Sequence, residues 1–385
     1  MRECAETVDI AVTDFEGLVA FARGHEVGLA VVGPEVPLTL GVVDAFEAAG
    51  LKCFGPSKLA ARLEGSKTFA KNLMKKHGIP TAPFETFTEA APALAFIDEI
   101  GAPCVIKADG LAAGKGVVIC RTKDEAREAV HEMLDEARFG EASSRILIEG
   151  FLEGQEVSVL AFCDGEDFVP MVSSQDHKRI FDDDRGPNTG GMGAYSPAPV
   201  YTDEVARFTV EKILRPTVEA MKKEGCPFKG VLYAGLMITK DGPMVLEYNA
   251  RFGDPETQPV LQRLKSDLAE VMLRCVEGRL AGTRLEWNPD PAVCVIMASR
   301  GYPESSHSGD VITGLDKVDA KDVHVFHSGT ALDAEGRVVT HGGRVLGVCA
   351  TGPTIALARE KAYANVARIH FDGAQFRRDI GNKAL

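Results

Sequence analysis

The sequence predicts a multidomain α/β and α+β chain: a parallel α/β beginning, a mixed middle and a β-rich end. Three observations predict this. The 385 residues, 45% of them hydrophobic, are enough for two to three buried cores. Residues 15–54 alternate helix-like stretches with short apolar runs, the pattern of a parallel sheet covered by helices. After Trp287-Asn288-Pro289, short strands with turn signals run from about Ala292 to Thr351.

Taken in order, Phe15–Arg23 reads as a helix, Gly28–Val32 as a strand, Val42–Ala49 as a helix and Leu51–Phe54 as a second strand. One helix is expected from about Leu59 to His77, closed by Gly78 and Pro80. Strands follow at Cys104–Lys107, Val117–Cys120 and Arg145–Ile148, with a helix over Lys123–Glu136. Residues 174–197, rich in Asp, Arg and Gly, read as a loop, and a long helix covers about Glu204–Glu224. Val231–Thr239 and Met244–Asn249 form a hairpin through Lys240-Asp241-Gly242, where Asp-Gly suits a tight turn. A helix from Asp267 buries Leu268, Val271, Met272 and Cys275, and Ile355–Ile369 is the last helix. No internal repeat is present. The implied domains are 1–60, 61–285 and 286–385.

The formal charge of −13 and the absence of a basic tract argue against a nucleic-acid binder, though not against a small anion held by local lysines and arginines. Nine cysteines without a CxxC pair read as reduced core thiols, not a disulfide frame or zinc site. No apolar run is long enough for a bilayer and no signal peptide is visible, so a soluble cytoplasmic protein with no membrane partner is expected.

Three stretches carry chemistry. The first runs from Val105 to Ile119, a strand, a glycine-rich turn and another strand. Gly110, Gly114 and Gly116 would let backbone N–H groups close on phosphate oxygens, with Lys115 adding charge. Its spacing fits neither a Walker A loop nor a dinucleotide fingerprint, so a flap over a nucleotide fits better; an ordinary hairpin is the plainer alternative. Lys107 lies inside an apolar strand, where an ammonium needs an anionic partner such as phosphate. In the second stretch a strand ends at Glu149, before Phe151 and Leu152. It offers backbone groups and apolar faces to a flat base, and Glu156 could accept from ribose hydroxyls; an exposed strand end is the alternative.

The third stretch is Met244–Gln258. Strand alternation puts Val245, Glu247 and Asn249 on one face and Leu246 and Tyr248 on the other. A carboxylate and an amide at i and i+2 suit a hard cation such as Mg2+ that takes its other ligands from phosphates, and Arg251 adds an anion hook. The alternative is a surface ion pair. Asp254 is either a helix N-cap before Pro255 or a substrate contact.

With these residues in view, the chain resembles the phosphoribosylamine–glycine ligase family of ATP-grasp enzymes. The resemblance rests on Arg251-Phe-Gly-Asp-Pro-Glu-Thr-Gln258, Ser174-Gln-Asp-His-Lys-Arg179, Gly186–Pro197 and Lys107–Gly116, with Gly301-Tyr-Pro303, Gly342-Gly-Arg344 and Arg378-Asp-Ile-Gly381. It implies an ATP-grasp fold with a mobile small lobe at about 80–150, a pre-ATP-grasp N-terminal domain and a β-rich C-terminal domain. It also implies ATP-dependent joining of glycine to 5-phosphoribosylamine in purine synthesis, by a monomer. By this likeness Glu247 and Asn249 hold Mg2+ or Mn2+, while Lys67 and Lys107 meet phosphates under the 110–116 loop. Glu149, Phe151 and Leu152 would bind adenine, Glu156 ribose, and Arg251 the carboxylate and acyl phosphate. Asp176, His177, Lys178 and Asp254 would belong to the substrate enclosure.

Two departures stand out. The strand Leu232–Ile238 lacks the further metal-binding acid of many ATP-grasp enzymes. The family's opening strand and glycine-rich turn are also missing, about one βαβ unit of roughly 30 residues. The N-terminal sheet is therefore expected to be partial, with an exposed edge and apolar surface. That leaves an incomplete phosphoribosylamine site, with a clipped ATP-binding protein without turnover as the rival to the ligase.

Overall fold

The computed structural model describes residues 5–110, 116–138, 140–319 and 321–385. At the N-terminal end Ala30–Val31 pairs in parallel with Cys53–Phe54, and helices Phe15–Gly24, Glu35–Leu40 and Val42–Ala48 pack around this pair. Glu35–Leu40 was not expected as a helix. Its Pro37 lies in the first turn, where a missing N–H costs no helical bond. Among the described residues this sheet has two strands, and Val31 is 48% exposed on its open edge.

The single helix expected from Leu59 to His77 is in fact two, Lys58–Gly65 and Lys67–His77. Ser66 between them is extended, and its hydroxyl accepts from Phe69 N–H as the N-cap of the second helix. The break sets Lys67 at the start of a helix. Its N–H donates to Asp109 O at 3.2 Å.

Two antiparallel four-stranded sheets face each other across the middle of the molecule. The smaller orders Phe84–Phe87, Ile146–Gly150, Cys104–Ala108 and Val117–Cys120, backed by helices Ala90–Ile100 and Lys123–Val130 over one apolar cluster. The larger orders Gly242–Asn249, Lys229–Thr239, Gln155–Asp164 and Phe168–Pro170. One of its faces packs on the helices 67–77 and 203–223, the other on Leu268–Val276 and Phe54. Val245 N–H donates to Pro80 O and Thr81 Oγ1 to Val245 O, tying the segment that leads into the smaller sheet to the larger one.

The strand Gly242–Asn249 is bulged. Gly235 pairs with Glu247 and Leu236 with Val245, so Leu246 is the extra residue. The expected alternation is corrected accordingly: Val245 and Tyr248 share the core face, while Glu247 and Asn249 lie on the opposite, half-exposed face. The hairpin turn is as expected, with Gly242 at φ +110°.

Residues 174–197 are not a plain loop. Gln175–Asp176 and Gly193–Ser196 are strands of a five-stranded sheet completed by Ala292–Ala298, Arg344–Thr351 and Val323–His327. Helix Ile355–Val366 covers this sheet and closes the C-terminal core. Among the described residues no helix is long and apolar enough to cross a membrane. The eight described cysteines are buried and free, as core thiols should be.

Candidate active site

The chemistry-bearing residues converge between the two four-stranded sheets. From the smaller sheet, Lys107 points its ammonium at Glu149 Oε1 (2.5 Å) on the neighbouring strand and at Leu246 O (3.1 Å) across the gap. Glu149 is also paired with Lys71, a residue the sequence reading passed over. Burial pushes the Glu149 carboxyl up, but Lys107 and Lys71 outweigh it and hold it below the usual carboxylate range. Lys67, from the start of its helix, donates to Gly110 O at 3.1 Å. Burial pulls its ammonium below the ordinary lysine value, opposed by Glu247 and aided by Lys107.

From the larger sheet come Glu247 and Asn249. Lys178 lies against Glu247 at 3.5 Å and against Glu156 at 2.8 Å. Lys178 above all, then Lys107 and Lys67, draw the Glu247 carboxyl down to about 2, so it is fully ionised. Asn249 makes no side-chain hydrogen bond among the described residues. Gly235 opposite Glu247 leaves it room: a Cβ there would sit 3.2 Å from Glu247 Cγ. No group of three or more His, Cys, Asp or Glu residues able to hold a metal exists among the described residues. The pair Glu247 and Asn249, one carboxylate and one amide on the same face, fits a cation that brings most of its ligands on a phosphate chain.

The Ser174–Arg179 segment divides its side chains as a strand does. Asp176 and Lys178 face the site. His177, 1% exposed, turns the other way: Nδ1–H donates to Gly193 O and the ring packs beside Tyr195. Burial, then Arg377 and Lys383, lower its pKa to about 4, so the imidazole is neutral. Asp176 is pushed well above the ordinary aspartate value by burial and by the nearby Glu256. Glu256 in turn accepts from Ser158 Oγ (2.9 Å) and Tyr233 Oη (2.8 Å).

Arg251 is already engaged by protein carboxylates, with Nη2 3.1 Å from Glu64 and Nε 3.4 Å from Glu35. Asp254 is not an N-cap, because the next helix begins at Thr257 with Glu256 in the cap position. Its carboxylate instead takes Arg344 Nη2 (2.8 Å) and Gln258 Nε2 (2.8 Å). Phe151 and Leu152 are half-exposed beyond the strand end, and Glu156 is exposed. Gly110 closes on Ala142, and Gly116 O accepts from Ala108 N–H at 2.8 Å. Gly114 and Lys115 lie outside the described residues. Lys71 could have been found from its spacing, four residues after Lys67 on the apolar stripe of its helix; Arg344 stood in the Gly342-Gly-Arg344 motif without a role, and Glu64 carried no comparable signal.

Together these groups form a row of ammonium groups opposite an ionised carboxylate and a free amide, in a gap between two sheets. That arrangement suits a polyphosphate and a divalent cation held together.

Comparison with known proteins agrees with this geometry. Three family descriptions of phosphoribosylglycinamide synthetase match in succession: the N domain over residues 1–64, the ATP-grasp (A) domain over 65–257 and the C domain over 292–383. A phosphoribosylamine–glycine ligase of Yersinia pestis is 52% identical over 381 residues, covering 99% of this chain and 89% of the relative. One of Escherichia coli O157:H7 is 54% identical with the same coverage. The crystal structure of phosphoribosylamine–glycine ligase from Thermotoga maritima superposes with a TM-score of 0.78 at 38% identity, covering 86% of this chain and 82% of that one. A biotin carboxylase domain from Hydrogenobacter thermophilus, at 17% identity and a TM-score of 0.73, shares the fold. The ATP-grasp sheets, the C-terminal sheet and these matches together show that the chain belongs to the phosphoribosylamine–glycine ligase family.

Proposed function

We propose that this protein joins glycine to 5-phosphoribosylamine with ATP, giving glycinamide ribonucleotide, ADP and phosphate, a step of purine synthesis. The observation that carries the reading is the row Lys67, Lys107 and Lys178 facing Glu247 and Asn249 in a chain of this family. A carboxylate is a poor electrophile. The glycine carboxylate first attacks the γ-phosphorus of ATP, releasing ADP and leaving glycyl phosphate. The amine of phosphoribosylamine then adds to its carbonyl, expels phosphate and gives up a proton.

Such a transfer is mostly positioning and charge neutralisation. Lys67 and Lys107 receive the phosphates, the backbone from Glu149 to Leu152 with the Phe151 and Leu152 side chains lines the adenine, and Glu156 the ribose. Glu247 and Asn249 would hold a divalent ion, Mg2+ or Mn2+, since both are hard cations that take carboxylate, amide and phosphate oxygens. When bound, that ion neutralises charge on the β- and γ-phosphates. Arg251 steadies the glycine carboxylate and acyl phosphate by exchanging its longer contact, to Glu35, for the substrate. Asp176, Lys178 and Asp254 line the enclosure that keeps water from the acyl phosphate; His177 supports it from behind.

The test follows ADP release with Mg2+, glycine and freshly made phosphoribosylamine, each omitted in turn. Release that needs both substrates is expected. Nucleotide binding without turnover would overturn the ligase reading.

A further inference from the structure

Lys71 lies one turn beyond Lys67 on the inward face of helix Lys67–His77, with its side chain only 3% exposed. Its ammonium pairs with Glu149 Oε2 and donates to Thr81 Oγ1 (2.6 Å). Thr81 Oγ1 donates to Val245 O (2.7 Å), and Lys107 donates to Leu246 O (3.1 Å). The two lysines thus hold the two carbonyls beside the bulge that leads into Glu247, one through Thr81 and one directly.

The charge count is the stronger point. Lys107 and Glu149 alone would make a neutral buried pair, with the ammonium committed to its own carboxylate. Lys71 adds a second positive charge to the same carboxylate, on its other oxygen. The cluster then carries one net positive charge, and Lys107 is the member that reaches toward the gap between the sheets.

We propose that Lys71 is a positioning residue for the nucleotide: it takes up the charge of Glu149, so that Lys107 is left to meet a phosphate. The inference rests on the reading of this gap as the ATP site. A lysine that merely filled the core would affect stability without selecting between nucleotide and glycine.

The experiment titrates ADP with Mg2+ into wild type, Lys71→Met, Lys71→Arg and the double variant Lys71→Met/Glu149→Gln by calorimetry, and measures KM for glycine beside it. Lys71→Met is expected to bind ADP about tenfold more weakly, with KM for glycine unchanged. Lys71→Arg should recover most of the loss. The double variant regains one net positive charge and should bind ADP more tightly than Lys71→Met. Equal affinity in wild type and Lys71→Met, or a double variant no better than the single, overturns the proposal. Should Lys71→Met fail to fold, the double variant, in which Lys107 still has Leu246 O and the amide oxygen introduced at position 149 as acceptors, is compared with wild type. ADP affinity close to wild type then supports the proposal, and a tenfold loss overturns it. Wild-type protein that binds no ADP would sink the underlying ATP reading instead.

Discussion

Glu247 stays a carboxylate throughout the working pH range, because Lys178, Lys107 and Lys67 keep its proton off down to about pH 2. A carboxylate held in that form suits charge and ligation rather than proton transfer. Glu247→Ala should lower kcat by about a hundredfold or more, the scale of removing one preorganised electrostatic contact, and should weaken the dependence on added Mg2+. Full activity in that variant would sink the metal assignment. His177 titrates in the opposite sense to a paired histidine. Its pKa falls from the ordinary 6.5 to about 4 on folding, so between those values the unfolded chain binds a proton that the folded chain refuses. Stability present above pH 6.5 is lost as pH falls towards 4, by about 3 kcal/mol at the limit. Urea unfolding of His177→Gln across pH 7 to 4 should show a flatter acid decline than wild type; an identical slope would place the acid sensitivity elsewhere.

At the scale of elements, the C-terminal domain reaches the Asp254 corner through Arg344. Arg344 Nη1 donates to Gly190 O and to Asp254 O, both at 2.8 Å, while Nη2 holds the Asp254 carboxylate. Tyr302 Oη accepts from Gly190 N–H at 2.9 Å, and its ring lies where a side chain at Gly343 would have to go. The motifs Gly301–Pro303 and Gly342–Arg344 thus converge on the Gly190-Gly191 turn and the Asp254-Pro255 corner. Arg344→Met should reduce kcat/KM for glycine about tenfold while leaving ADP affinity untouched. Equal losses for both ligands would show a general loosening of the fold instead.

Most helices and the strands around Lys107 and Glu247 were legible, because apolar periodicity and turn residues mark them locally. Besides the helix Glu35–Leu40, three features were not. The break at Ser66 hides in a nearly continuous helical pattern, and only the Ser66 cap reveals it. The bulge at Leu246 breaks a period-two reading, which cannot foresee an inserted residue. The strands in 174–197 are short and polar, and they are made strands by Val293 and Val295, about a hundred residues away. Of the site, Lys67, Lys107, Glu156, Lys178, Glu247 and Asn249 do come together. His177 faces away and Asp254 is no cap, since both depend on partners distant in the chain.

Across the whole molecule, a chain of net charge −13 still gathers a local cluster of cations. Lys67, Lys71, Lys107 and Lys178 are gathered between the sheets, and Arg251 ties that region to Glu35 of the N-terminal unit. Strands Gln175–Asp176 and Gly193–Ser196 find their sheet only when Ala292–Ala298 and Arg344–Thr351 exist beside them. During synthesis from the N-terminus, both nucleotide-facing sheets emerge complete well before the segment bearing Asp176 and Lys178 is anchored. A ribosome-bound chain can thus own its ATP lobes yet lack a fixed wall around the acyl phosphate. The wall carrying Asp176 and Lys178 is thus the last part of this region to be fixed, once the final domain has been made.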